Sequence, residues 1–189
     1  MHSTPKLMYP LGALIGDGSL RHTSGGSYFI TFEMKDRNVL FLIQSLFQKV
    51  FGIRKKITLN CRKDGRRTYI LKYSNKIIYY FFNRFFNITK NKTKTVRILL
   101  PANSSRNAKL ALLLGLFHTD GSVVKNSLRF YTSSSKLRDD IRTILAGIGY
   151  SCRLYAYQRK NYTPEYHIYV KNSKDILSEF ARTTAVLAK

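Results

Sequence analysis

Apolar and polar residues follow two different periods along the chain, which predicts a mixture of helices and strands. In the segment 38–51 the apolar residues Val39, Leu42, Ile43 and Leu46 recur every three or four positions, and this spacing predicts an amphipathic helix. In the segment 56–62 apolar and polar residues alternate strictly, which predicts a strand with one face toward a core. The two patterns are interspersed, so we expect an α+β fold.

Turn and stop signals between these segments set the order of the predicted elements. Gly-Gly at 25–26 and Asp-Gly at 64–65 mark hairpin turns, and Gly52 ends the helix over 38–51. The first set is a helix in 11–19, strands over 19–23 and 27–34, the helix over 38–51, strands over 54–62 and 66–73, and a helix over 75–86. The second set is a helix in 114–122, strands over 122–126 and 128–133, a helix over 136–146, strands over 152–159 and 165–170, and a helix over 174–187.

An internal repeat accounts for this order. The segments 11–19 and 114–122 are both apolar stretches that end in Asp-Gly-Ser, at an offset of 103 residues. Gly52 recurs as Gly149 and Asn75 as Asn172, both at an offset of 97. The Gly-rich loop of the first hairpin is expected to absorb the difference between the two offsets. We therefore expect two similar half-domains, over 1–100 and 107–189, joined by a linker over 101–106.

The charge of the chain restricts its partners. Thirty-three Lys and Arg against ten Asp and Glu give a net charge of +23, whereas about 2–8 charges suffice for solubility. Such a field attracts polyanions, so we expect nucleic acid and no membrane partner, since the apolar runs are much shorter than the ~20 residues that span a bilayer. An N-terminus without an apolar signal core and the absence of a disulfide framework predict an intracellular location, in cytoplasm or nucleoid.

Two aspartates close the repeated apolar helices. Gly12 and Gly16 are four residues apart and share one face of the first helix, so a second helix can approach closely. If the two helices pair in parallel, Asp17 and Asp120 meet at the negative ends of two helix dipoles. A divalent cation relieves this repulsion, and oxygen ligands suit Mg²⁺. A core helix that stops at Asp-Gly would explain the glycines but not the paired aspartates.

The same segments resemble a known protein family. PLGALIGDG at 10–18 and LLGLFHTDG at 113–121 resemble the two motifs of the LAGLIDADG homing endonucleases, and the order of strands and helices is similar over nearly the whole chain. The resemblance implies an α+β fold of two pseudo-symmetric αββαββα units, each with a concave four-stranded antiparallel sheet, packed through the paired motif helices. The single-chain, two-motif type implies a monomer, and an intron-encoded protein of an archaeon fits this type.

The resemblance also implies an activity and a metal site. The activity is Mg²⁺-dependent hydrolysis of both strands of an extended double-stranded DNA target across the minor groove. Asp17 and Asp120 would be the catalytic metal ligands, and Gly16 and Thr119 beside them complete the predicted metal site. Two or three divalent ions are expected, and both shared and separate sites are compatible with two carboxylates.

Three further catalytic residues follow from the resemblance. The family places a polar residue, often glutamine, at the end of the second strand, and this position corresponds to Asp36 and Ser134. A lysine after the last strand pair corresponds to Lys94, for which a phosphate contact in a basic loop is an equal alternative. At an offset of 97 the second half has no matching lysine, so we predict unequal cleavage rates for the two strands. His118, where the family often has aspartate, is expected to pack rather than to bind metal.

The predicted strands offer a surface for reading DNA. In 56–62 the apolar Ile57 and Leu59 are expected to face the core, and the polar residues between them face outward. The outward residues are rich in Arg, Lys, Tyr and Thr and fit the major groove, although a solvated polar face is the plainer alternative. The candidate DNA contacts are Ser19, Arg21, Thr23, Thr31, Glu33, Lys56, Thr58, Asn60, Arg62, Arg66, Thr68, Ile70, Lys72, Asn126, Arg129, Tyr131, Arg153, Tyr155, Tyr157, Arg159, Glu165, His167 and Tyr169.

Two other functions are compatible with the same sequence. One is an RNA-binding maturase that assists intron splicing, and the other is a DNA-binding regulator without nuclease activity. The presence of both Asp17 and Asp120 favours the nuclease, because neither alternative requires them.

Overall fold

Two copies of one α+β unit make up the structure. The computed structural model describes residues 4–61, 64–86, 95–101, 103–158 and 162–189. The first copy consists of α1 (Pro5–Ile15), β1 (Ser19–His22), β2 (Tyr28–Met34), α2 (Arg37–Phe51), β3 (Ile57–Cys61), β4 (Arg67–Ser74) and α3 (Lys76–Phe86). The second consists of α4 (Arg106–Asp120), β5 (Gly121–Val124), β6 (Ser127–Thr132), α5 (Ser135–Ala146), β7 (Cys152–Tyr157), β8 (Glu165–Val170) and α6 (Ser173–Ala188).

Each copy holds one four-stranded antiparallel sheet. The strand orders are β1-β2-β4-β3 and β5-β6-β8-β7, so the two sheets have the same topology. α2 packs on β2 and β4, and α5 packs on β6 and β8. The buried residues of both copies form one continuous core. The predicted fold class, two αββαββα units built around paired motif helices, is confirmed.

Short polar side chains fix where the helices begin. Asp36 caps α2 by accepting a hydrogen bond from the Asn38 amide at 2.8 Å, and Ser105 caps α4 by accepting one from the Ala108 amide at 3.2 Å. α2 ends at Gly52, whose φ of +69° is favoured by a residue without a Cβ. These caps determine the first residues of α2, which follows the first hairpin, and of α4, which begins the second copy.

The first hairpin differs in length between the copies. Ser19 pairs with Thr31 in the first sheet, whereas Ser122 pairs with Arg129 in the second. The longer loop 23–27 joins β1 to β2, and β5 and β6 are joined by two residues only, both with positive φ, as in a type I′ turn. The hairpin accounts for five of the six residues by which the offset changes, since the offset is 103 at Ser19 and Ser122 but 98 at Thr31 and Arg129.

The centre of the molecule is the contact between α1 and α4. A Cβ placed on Gly12 would overlap the Leu112 carbonyl oxygen, and one on Gly115 would overlap the Tyr9 carbonyl oxygen. The two backbones therefore lie closer than side chains normally allow. Because the Gly12 position contacts Leu112 and the Gly16 position contacts Thr119, the two helices run parallel. Their C-terminal ends consequently reach the same end of the molecule.

The edge strands depart from the predicted burial pattern. Ile57 is buried as expected, but Leu59 is 53% exposed, contrary to the prediction that it faces the core. β3 is the edge strand of its sheet, and α2 and α3 pack on β2 and β4. The outer end of β3 therefore extends beyond the helices that cover the sheet.

The segment 95–101 packs against the second copy. The backbone amide of Ile98 donates to Asp140 Oδ2 at 2.6 Å, and Arg97 forms an ion pair of 3.3 Å with Asp140. Ser134 Oγ donates to the Val96 carbonyl oxygen at 2.7 Å. These bonds attach residues that the sequence assigned to the first half-domain to α5 of the second. Within the described part of the chain, no helix combines the length and apolarity needed to cross a membrane.

Candidate metal centre and nucleic-acid interface

The two motif aspartates line one cavity. This cavity, of about 390 Å³, opens at the C-terminal ends of α1 and α4 and contains both Asp17 and Asp120 in its wall. Asp17 is exposed and Asp120 is partly buried. Glu165, at the start of β8, lines the same cavity. Three acidic residues thus line one cavity.

Small side chains bring the two helix ends together. A Cβ on Gly16 would overlap the Thr119 side chain and lie 3.2 Å from Asp120 Oδ2. Thr119 Oγ1 donates to the Leu116 carbonyl at 2.9 Å, which turns its hydroxyl back onto its own helix. The positions of Gly16 and Thr119 are thus explained by close packing beside the aspartates, and their predicted part in the metal site stays a prediction.

The donor set of the cavity fits a hard divalent cation. Two carboxylates at the negative ends of two helix dipoles repel each other unless a cation lies between them. Among the described residues, no three His, Cys, Asp or Glu side chains are grouped closely enough to form a protein cage around a metal. Mg²⁺ does not need such a cage, because it retains several waters and binds through one or two carboxylates together with substrate phosphates.

Asp36 lies outside this cavity. Its carboxylate caps α2 and lines a separate cavity of about 420 Å³ that also contains Tyr9 and His118. A hydrogen bond of 2.7 Å joins the Tyr9 hydroxyl to His118 Nδ1. Burial lowers the pKa of His118, and the negative charge of Asp36 opposes this shift. The hydrogen bond between α1 and α4 gives His118 a packing role, and the predicted catalytic role of Asp36 stays a prediction.

Ser134 is not exposed in the cavity, whereas its neighbour Ser133 is. The Ser134 side chain is fully buried, accepts from the Leu137 amide at 3.2 Å and donates to the Val96 carbonyl. This geometry makes it the N-cap of α5. Ser133 lines the cavity instead. The predicted catalytic role of Ser134 stays a prediction.

The predicted lysine cannot be placed. Lys94 lies outside the described residues, as do Arg62 and Arg159 of the predicted DNA surface. The described chain resumes at Thr95, and Val96 lines the cavity with the aspartates. Val96 was missed by sequence reasoning, because an apolar residue in a connecting segment carries no chemical signal.

The register of the first sheet places its predicted DNA contacts on one face. Ser19 pairs with Thr31, which pairs with Lys72, and Glu33 pairs with Ile70, which pairs with Thr58. Because paired residues share a face, these rows form a continuous polar surface. The other predicted DNA contacts of this half lie either on strands or in flanking loops. Those on strands are Arg21, Asn60 and Thr68, and those in loops are Thr23, Lys56 and Arg66.

The second sheet presents its predicted contacts in the same way. Ser122, Arg129, Tyr169 and Arg153 form one row across all four strands. Tyr131, His167 and Tyr155 form the next row, and Tyr157 pairs with Glu165. Asn126 lies in the turn after β5 rather than on a strand. Tyr131 and Glu165 also line the acidic cavity, so this face continues into the candidate metal centre.

These features define the class to which the chain belongs. A duplicated αββαββα fold with two acidic motif helices packed in parallel is the arrangement of LAGLIDADG proteins. The LAGLIDADG-like domain model matches residues 5–85 and 107–183, which is more than half of the chain, and the chain belongs to this family. The family predicted from the two motifs is therefore confirmed.

Solved structures support the same fold. The chain is similar to mesophilic variants of the homing endonuclease I-DmoI, with a TM-score of 0.68, 18% identity, and 100% of this chain and 98% of that chain covered. It is similar to I-DmoI in complex with DNA and Mn, with a TM-score of 0.66, 18% identity and 97% of each chain covered. It is also similar to the N-terminal LAGLIDADG domain of DUF199/WhiA, with a TM-score of 0.60, 14% identity, and 96% of this chain and 82% of that chain covered. At these identities the likeness shows the fold.

Proposed function

We propose that the chain is a sequence-specific endonuclease that cleaves both strands of double-stranded DNA with the help of divalent metal ions, of which Mg²⁺ is the natural choice. The observation that carries this proposal is the cavity shared by Asp17 and Asp120 at the paired ends of α1 and α4. One carboxylate comes from each half, so each strand of a duplex can be served by its own acidic residue.

The charge and the two sheets support a duplex as the substrate. A net charge of +23 attracts the phosphate backbone. Each sheet presents a row of polar and aromatic side chains on one face, and sheets and ribbons can enter the major groove. Two such faces flanking one acidic cavity fit a long target that is cleaved near its centre. A single chain holds both motifs, so we propose a monomer.

Asp17 and Asp120 would hold the metal, and the rest of the cavity positions the scissile phosphates. When bound there, a divalent cation would supply Lewis acidity, which can activate a water and stabilise a leaving oxygen. Glu165 is held by a 2.7 Å contact with His167 Nε2 at the edge of the cavity. Its carboxylate adds negative charge to the wall and favours a cation further. In the similar I-DmoI complexes the ions named are Mn, Ca and Mg.

Cleavage of a plasmid library tests the proposal. The full chain is incubated with supercoiled plasmids that carry randomised inserts in buffer with Mg²⁺, and linear products are sequenced. We expect cleavage at one recurring sequence, and we expect Asp17→Asn and Asp120→Asn to reduce double-strand breaks by at least a hundredfold while duplex binding is retained. Asp175→Asn, an exposed acidic residue in the first turn of α6, is the control that removes the same charge elsewhere.

Other outcomes separate the alternatives. Tight binding of a specific duplex with no cleavage in Mg²⁺ or Mn²⁺ would indicate a DNA-binding regulator on the same fold. Preferential binding of a structured RNA would indicate a maturase. If both aspartate variants still cleave like the unaltered chain, these residues are not the metal ligands and the proposal fails.

A further inference from the structure

We propose that the two sheets read the two halves of the target with different chemistry, and that the second sheet recognises thymine through an aromatic cluster formed by Tyr131, Tyr155, Tyr157, His167 and Tyr169. This inference rests on the proposed recognition of duplex DNA. It goes further by assigning a base preference to one half of the molecule.

The two sheets differ at equivalent positions. The offset of 97 identifies the equivalent positions of the two copies. At four of them the first sheet has a polar, charged or aliphatic residue and the second has an aromatic one. The pairs are Thr58 and Tyr155, Asn60 and Tyr157, Ile70 and His167, and Lys72 and Tyr169. The backbone topology is the same in both sheets, so the difference lies in the side chains alone.

The face of the first sheet is organised by hydrogen bonds. Glu33 Oε1 accepts from Thr68 Oγ1 at 2.7 Å and from Asn60 Nδ2 at 3.3 Å. Lys72 Nζ lies 3.7 Å from the centre of the Phe29 ring. Such a surface offers donors and acceptors to the edges of base pairs, which is the usual means of direct readout.

The face of the second sheet is organised chiefly by ring contacts, beside hydrogen bonds of Tyr131 with Ser122 and of His167 with Glu165. The rings of Tyr155 and Tyr169 meet at 4.9 Å and 68°, and those of Tyr131 and His167 meet at 4.7 Å and 81°. The Tyr157 ring lies 4.4 Å from His167. Tyr155 and Tyr157 are nevertheless 42% and 46% exposed. The cluster is thus a closely packed aromatic surface that remains open to a ligand.

The ring geometry favours contact with the groove of a duplex over stacking on unpaired bases. Stacking of single-stranded bases needs open ring faces. In the edge-to-face contacts of Tyr155 with Tyr169 and of Tyr131 with His167, the edge of one ring covers the face of another. The guanidinium of Arg129 covers the Tyr169 ring at 4.3 Å. Because several ring faces are already in contact with neighbours, the cluster suits the wall of a groove better than stacking on unpaired bases.

Thymine is the base that such a surface should bind best. Among the four bases only thymine carries an apolar group, the C5 methyl, in the major groove. Rings already fixed by their neighbours lose little conformational freedom when they contact that methyl. Each methyl buried against the cluster should strengthen binding about fourfold, from the transfer free energy of one carbon.

Substitution of deoxyuridine for thymidine tests the inference, because it removes only the methyl. A bound target is selected from randomised duplexes with the full chain and resynthesised with deoxyuridine in one half-site at a time. We expect a loss of affinity of tenfold or more when one half-site is substituted and less than threefold for the other. The double variant Tyr155→Thr/Tyr157→Asn, which carries the residues of the first sheet, should bind both forms of the sensitive half-site equally. Asn60→Ala on the first sheet should keep the full penalty.

Several results would overturn the inference. One is a loss of affinity on deoxyuridine substitution that is equal in both half-sites or absent from both. Another is a loss of affinity that persists in the double variant Tyr155→Thr/Tyr157→Asn. Single strands that bind as tightly as the duplex would show that the cluster stacks unpaired bases instead. Failure of any duplex to bind would refute the proposed function itself, which is a different result from binding without a thymine preference.

Discussion

At the scale of single residues, the sequence predicts the acidic pair of the cavity but does not show which of two neighbouring serines lines it. Asp17 and Asp120 are identifiable because each closes one of two repeated apolar stretches, and a repeat is visible without a structure. Ser133 and Ser134 are chemically identical, so the sequence contains no signal for which of them faces the cavity. The choice depends on where α5 begins, and helix boundaries are uncertain by a few residues in any sequence-based prediction.

Alanine substitutions separate the roles of these two serines. Ser134→Ala removes the cap of α5 and leaves the Val96 carbonyl without its donor, so we expect the free energy of unfolding to fall by about 1–2 kcal/mol. Ser133→Ala should leave stability unchanged, because Ser133 lies in the cavity wall. Urea denaturation of both variants measures this difference. Equal stability of the two variants would mean that the Ser134 cap is not formed.

Tyr73 provides a prediction about pH. Its ring is fully buried and stacks on Phe47 at 4.1 Å, but its hydroxyl has no hydrogen-bond partner among the described residues. Burial raises the pKa of Tyr73 above its usual value of 10.0. The folded state therefore favours the neutral hydroxyl, and this contribution to stability is complete below pH 10 and is lost as the pH rises above it.

Tyr73→Phe removes both the unsatisfied hydroxyl and its ionisation. We expect the free energy of unfolding at pH 7 to rise by about 1 kcal/mol. Between pH 10 and pH 11 the variant should lose less stability than the unaltered chain. Thermal or denaturant unfolding across this pH range measures both effects, and a variant that is less stable at pH 7 would show that the hydroxyl has a partner.

At the scale of secondary-structure elements, the close contact of α1 with α4 determines the position of the aspartates. Gly12→Ala would place a Cβ against the Leu112 carbonyl and within 2.9 Å of the Leu116 amide nitrogen. Backbone atoms cannot move aside as a side chain can, so we expect a loss of about 1–3 kcal/mol or more in the free energy of unfolding.

A second glycine serves as the control for this substitution. Gly25 lies in the loop of the first hairpin, and a Cβ added there would meet no atom within 4 Å. Gly25→Ala should change stability by less than about 0.5 kcal/mol. Circular dichroism melts compare the two variants. If Gly12→Ala is tolerated as well as Gly25→Ala, the two helices are not packed backbone to backbone.

The sequence predicts an element well where its apolar spacing continues over many residues. It predicts burial poorly where this depends on how far neighbouring helices cover a sheet. The helix α2 matches its predicted segment because its apolar spacing and its terminal Gly52 agree. Leu59 has the alternation of an inward residue but is exposed, since no sequence pattern shows how far the helices extend over an edge strand. The attachment of residues 95–101 to α5 was also not predictable, because it depends on single hydrogen bonds to Asp140 and Ser134.

At the scale of the whole molecule, the two copies share a fold but not a surface. The sequence predicts the pseudo-dimer because the motifs and glycines recur at nearly constant offsets. It does not reveal that aromatic contacts predominate on one sheet face and hydrogen bonds on the other, which requires the register of all eight strands. The two acidic helix ends therefore lie in different surroundings.

This asymmetry predicts unequal cleavage of the two strands. Asp36 and Ser134 occupy equivalent N-cap positions with different chemistry. We expect nicked circles to accumulate from supercoiled plasmid before linear product. Lys94→Ala should slow one strand more than the other in assays with strand-specific labels. Equal rates for both strands, slowed alike in the variant, would contradict this prediction.

The most direct measurement is of metal binding at the acidic pair. Mn²⁺ is titrated into the full chain bound to its selected duplex, and free Mn²⁺ is followed by electron paramagnetic resonance, with the duplex alone as the control. If Asp17 and Asp120 hold the cation together, the unaltered complex binds Mn²⁺ beyond the duplex control, and Asp17→Asn/Asp120→Asn weakens that binding at least tenfold. The same Mn²⁺ affinity and stoichiometry in the two complexes would contradict the account.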